Sequence, residues 1–131
     1  MRRFSAVYAW LRKLVIALAG GATLAAPAPV LAHHSFAMFD AQHPEQVVGI
    51  VKSWQFTNPH SWLQLVILRG GQPVLYSVEC GSPVTLIRRG WSYTSFRVGD
   101  KVTVVVNPLK SGANGGSMVR AIMANGQTLT E

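Results

Sequence analysis

The chain of 131 residues has one cysteine and five acidic residues, and it lacks an apolar run long enough to cross a membrane. Each shortage excludes something. With Cys80 alone, no internal disulfide can staple the fold, so stability must come from packing, a partner or a metal. Cys80 itself reads as a small buried apolar residue, with intermolecular pairing or metal ligation as the alternatives. Too few acids leave no second carboxylate at a spacing for acid/base catalysis beside Glu79. No nucleophile elbow occurs, and "GANGGS" lacks the lysine of a phosphate loop. No enzyme signature is present, and no repeats appear.

The longest apolar stretch, Leu14 to Ala26, falls short of the about 20 residues a membrane span needs, and Pro27 and Pro29 interrupt any extension. It follows a basic segment (Arg2, Arg3, Arg12, Lys13) and leads to small residues ending at Ala32. That order is a secretory signal peptide over residues 1–32, cut after Ala32, with Ala26 and Ala28 as alternative cut sites. No cysteine lies at a cut site, so a lipid anchor is not expected, and no membrane anchor survives cleavage. The location expected is the periplasm or beyond.

Cleavage changes the charge. Residues 1–32 hold four of the twelve Lys/Arg and none of the five acids, so the mature chain carries about +3 instead of +7. The remaining basic residues are scattered, and nucleic acid is a poor candidate partner. The mature part is one small domain, long enough for a single core.

Along it, residues 33–45 form an N-terminal arm that Phe36, Met38 and Phe39 can pin to a core. In 46–56, Val48, Ile50, Trp54 and Phe56 fall at every second position and predict one apolar strand face, with Gly49 at a bulge or bend. "TNPH" (57–60) is a turn. Strand two (61–69) turns Leu63, Leu65 and Ile67 inward. Gly70-Gly71 makes a hairpin into strand three (72–80), with Val74, Tyr76 and Val78 alternating. Ser82, Pro83 and Gly90 delimit a short helix. A turn at Gly99-Asp100 precedes strand four, "LKSGANGGS" (109–117) reads as a flexible loop, 118–124 as strand five, and Asn125-Gly126 closes a hairpin into a terminal strand scrap.

The order β-β-β-α-β-β predicts an all-β domain with one short helix over 46–131. It fits a small OB-like five-stranded barrel, in which a helix usually joins strands three and four. Another small open β-barrel is the alternative.

From His33 onward the motifs "HHSFAMFD" (33–40), "NPHSW" (58–62), "LIRRGW" (86–91), "VGDKVTV" (98–104) and "NPLKSGANGG" (107–116) carry a resemblance. The chain resembles an uncharacterised, domain-of-unknown-function family of small exported bacterial proteins. The resemblance implies export and a small β-rich fold, and brings no established activity.

Two constellations could carry chemistry. After a cut at Ala32, His33 has a free amine, which with its imidazole Nδ1 forms a six-membered chelate. A further imidazole from His34 or His60 would complete a nitrogen set suited to copper(II). The amine, with a pKa of about 8, must lose its proton, so binding should weaken as pH falls. Whether the arm reaches His60 depends on its doubling back or on strand one curling. The second constellation is Trp54, His60, Trp62 and Gln64 around the first inter-strand turn, a face for stacking sugars, bases or peptide side chains. Glu79 reads as solvated or paired with Arg88 or Arg89. The expected function is that of an exported small binding protein, holding copper(II) through His33. The alternatives are a non-metal ligand or interaction module on the aromatic face and, more weakly, a small copper-dependent redox enzyme.

Overall fold

The computed structural model describes residues 36–131. After a 3-10 turn at Phe36–Met38 come β1 (Glu45–Gln55), β2 (Ser61–Arg69), β3 (Gln72–Cys80), a helix α1 (Pro83–Ile87), β4 (Lys101–Pro108), β5 (Gly115–Ile122) and β6 (Thr128–Thr130). The strands pair in the order β3-β2-β1-β4-β5-β6, and a parallel β3–β5 pairing closes the first five into a barrel. With the helix between β3 and β4, this is the OB-like barrel that the element order predicts.

Alternation builds the inside. Leu63, Leu65, Tyr76, Val78, Val104 and Val106 are buried on alternate positions of β2, β3 and β4, each such side chain contributing about 1.5–3 kcal/mol on burial. The helix starts where Ser82 caps it, its side chain accepting from the Thr85 amide, and Pro83 stands at its beginning. Gly90, at φ +87°, takes the left-handed conformation that ends it. Leu86 of α1, with Trp91 and Phe96 just beyond, plugs one mouth of the barrel.

Strand β1 departs from the simple reading. Val47, Gly49 and Val51 face the core, while Val48 and Ile50 are exposed. The cause is a β-bulge between Val51 and Ser53, where β1 pairs with β2. The extra residue, Lys52, reverses the inward parity, so that Trp54 and Phe56 pack inward on the next part of the strand. Gly49 is not the bulge. A Cβ there would come within 2.9 Å of Ile67 Cγ2, so glycine allows β1 to lie close against β2. The bulge leaves Val48, Ile50, Val66 and Leu68 around a groove of about 430 Å³ on the outer surface.

Strand β5 also begins earlier than the glycine-rich pattern suggests. Gly115, Gly116 and Ser117 belong to it and make the parallel closure with Ser77, Val78 and Glu79. The connection that remains, 109–114, is tied down: Arg69 Nη1 donates to Asn114 Oδ1 at 2.6 Å, the Ser77 amide to the Asn114 carbonyl at 3.1 Å, and the Lys110 amide to the Met38 carbonyl at 3.0 Å.

Candidate binding face on the closed sheet

The first half of β1 pairs with β4 and its second half with β2, so the strand curls around the barrel. One cross-strand row then crosses the outside: Gln55 of β1 beside Trp62 of β2, Trp62 beside Glu79 of β3, Glu79 beside Ser117 of β5, and Ser117 beside Asn107 of β4. A second row holds Ser53, Gln64, Ser77 and Gly115. The inward alternation of Leu63, Leu65, Tyr76 and Val78 points all these polar side chains outward.

Side-chain bonds run along each row. Gln64 Nε2 donates to Ser77 Oγ at 2.8 Å, and Asn107 Nδ2 to Ser117 Oγ at 3.4 Å. His60 Nδ1 lies 2.9 Å from Glu79 Oε1. A carboxylate only accepts, so Nδ1 carries the proton, and in the neutral imidazole Nε2 keeps its lone pair. Ser117 is 8% exposed and the Glu79 side chain 11%, so the face is recessed although it lies outside the barrel. Gln64 Oε1 is buried without a hydrogen-bond partner, an acceptor whose desolvation is uncompensated.

Of the residues the sequence singles out, Trp62, Gln64 and His60 meet here. Trp54 does not. It pairs with Leu63 on the inward face, and its ring sits 5.5 Å from Phe56, 6.3 Å from Trp91 and 5.1 Å from Phe96. Its Nε1 donates to the Ser92 carbonyl at 3.0 Å. Trp54 is therefore part of the aromatic plug, because the bulge at Lys52 sets its parity. His33 and His34 lie outside the described residues. Among the described residues no three of His, Cys, Asp and Glu gather as metal ligands. Glu79 pairs with His60 and not with Arg88 or Arg89. Sequence reasoning also passed over Ser77, Ser117 and Asn107. The alternate polar positions of β3, β4 and β5 carried that signal, but only the strand register assembles it.

Cys80 and Glu131 lie beneath the end of this face. Cys80 is 2% exposed, and burial, with Glu131 and Glu79 nearby, pushes its thiol well above the ordinary value, which makes it a poor nucleophile. The Glu131 side chain accepts from the Gly81 amide at 2.5 Å, and its other oxygen is buried without a partner. Burial raises this carboxyl from 4.5 to about 7. Since the folded state holds the proton more tightly, the contribution of Glu131 to stability is full below pH 4.5 and is lost as the pH rises to about 7, by about 3 kcal/mol at most. Urea unfolding of Glu131→Gln at pH 5 and pH 8 should show this part of the decline removed. An unchanged pH dependence would mean that Glu131 is not its source.

A second cleft, of about 420 Å³, opens between Ser92, Thr94, Arg97, Asp100, Asn125 and Gln127. There Asp100 is already used, accepting the Arg97 amide at 3.0 Å in its own turn.

A family model described as a family of unknown function (DUF6152) matches residues 22–119. No curated protein and no solved structure matches the chain.

Proposed function

The chain belongs to this family of unknown function, DUF6152, and we propose that it is an exported small binding module whose ligand surface is the outer face of β2, β3 and β5. The observation that carries the reading is the recessed cross-strand row in which Trp62 stands beside the His60–Glu79 pair, with the unpartnered Gln64 Oε1 in the next row. A half-buried aromatic ring with a few convergent polar groups is what a small-ligand site requires. On an OB-like barrel, strands two and three and the loops at their ends are the usual ligand surface. The sequence supports export through the signal-peptide order of residues 1–32.

Intact mass of the chain recovered from the periplasm tests export and cleavage together. A mature start at His33 is expected, and a cytoplasmic, uncleaved product would contradict export. Trp62→Ala should abolish ligand capture while lowering the melting temperature far less than Trp91→Ala does, since Trp62 lies outside the core cluster.

One observation favours copper(II) as a second reading. Metal-bound imidazoles commonly give their other N–H to a carboxylate, and Glu79 holds His60 in that way with Nε2 free. The curl of β1 brings its start, at Glu45 beside Val106, next to Asn107 in the same row as Glu79. The row spans two strand spacings there, about 10 Å. The mature protein should therefore bind copper(II) at least tenfold more tightly than either His60→Ala or a variant with one extra residue before His33. Equal affinity in all three would remove both the amine and His60 as ligands.

A further inference from the structure

We infer that the ligand taken by this face is a neutral oligosaccharide, an inference that rests on the binding-module reading. β2 is paired on both sides, with β1 and β3, and β3 and β5 are likewise flanked along these rows. Only the end of β1, at Ser53 and Gln55, is paired on one side alone, so along β2, β3 and β5 no backbone edge is left for an extended peptide to join as an added strand. Recognition must come from side chains alone.

Those side chains are mainly acceptors. Gln64 Oε1 is an unused carbonyl, His60 Nε2 an unused lone pair, and Glu79 a carboxylate with one oxygen engaged by His60. A ligand that satisfies them must bring several O–H or N–H donors at close spacing. A phosphate chain brings only acceptors and negative charge, and would face Glu79 with no free cation in the rows. Arg69, at the end of β2, is turned to Asn114 and Glu45, at 2.6 and 3.9 Å. A sugar ring brings hydroxyl donors around its rim and an apolar C–H face that lies against an indole. Trp62, between Gln55 and Glu79 in the row, is placed to receive that face. The hydroxyls then reach Glu79 and the more exposed His60 beside the ring, with the Gln64 side chain in the next row.

Calorimetric titration of the purified chain tests this, with chitotetraose and maltotetraose as neutral sugar probes and a blocked tetra-alanine as the peptide probe. At least one sugar should bind. Trp62→Ala and Gln64→Leu should each weaken it tenfold or more, while Leu68→Ala, exposed further along β2, leaves it unchanged; melting curves verify that each variant is folded. Binding of neither sugar, or sugar binding that is equal in wild type, Trp62→Ala and Gln64→Leu, overturns the inference. Peptide binding that depends on Trp62, without sugar binding, also overturns it but leaves the binding-module reading intact.

Discussion

Trp91→Ala is expected to lower stability by about 3–5 kcal/mol, the range for removing a large buried aromatic side chain. Trp91 is 2% exposed and sits just beyond α1 in the mouth of the barrel. Its ring lies 6.3 Å from that of Trp54 and 5.8 Å from that of Phe96, and its Nε1 donates to the Thr130 carbonyl at 3.1 Å. One truncation therefore leaves a cavity among rings from β1 and from the segment joining α1 to β4, and frees a carbonyl of β6. In a domain of this size the loss corresponds to a fall of roughly 15–30 °C in melting temperature. Val98→Ala, at a side chain 75% exposed, should change stability by no more than about 0.5 kcal/mol. A Trp91→Ala protein that melts within a few degrees of wild type would mean that the aromatic plug does not hold the barrel mouth.

The second large effect belongs to the seam. Gly116→Ala places a methyl group 2.6 Å from the Asn107 carbonyl oxygen and 3.1 Å from Val106 Cβ. The nearest atom is backbone and cannot rotate away. Either β4 and β5 separate, or β5 shifts against β3, where Gly116 pairs with Val78. Overpacking of this kind costs about 1–3 kcal/mol, and here it falls on the pairing that closes the barrel. Urea unfolding should show the loss, and amide exchange should quicken along Gly115–Met118 and Val106–Pro108 before it does in β2. A fully stable variant with unchanged exchange would show that the strands do not need glycine to meet.

The failures of sequence reasoning follow from the same geometry. The strand spans of β2 and β3, the helix between Ser82 and Gly90 and the turn at Gly99 were readable because each depends on residues a few positions apart. The inward face of β1 was not, because counting back from Trp54 and Phe56 by twos crosses the bulge at Lys52 and selects Val48 and Ile50. "GGS" looks like a loop by composition. Its glycines serve close approach instead, with a Cβ at Gly115 meeting the Ser77 carbonyl oxygen at 2.8 Å. At the site, Trp62 and Gln64 were found from one strand alone. Glu79 reads from sequence as solvated or paired with Arg88 or Arg89, whereas its partner His60 is fixed by the β2–β3 register, which sets Glu79 against Trp62, two residues from His60. Trp54 is a candidate for the ligand face only through its nearness to the turn in sequence, while its alternation with Phe56 already favours the core, where it lies.

On the proposed reading, ligand meets the outside of the closed sheet and not the cleft between Ser92 and Gln127. Side-chain NMR reads this directly, because the indole N–H groups of Trp54, Trp62 and Trp91 report on different places. On titration with a soluble extract of the cell envelope, the Trp62 indole and the Gln64 side-chain amide should shift together, while the Trp54 and Trp91 indoles and the amides of Ser92, Arg97 and Asp100 stay in place. Shifts confined to Ser92, Arg97 and Asp100, with Trp62 and Gln64 unmoved, would contradict the account.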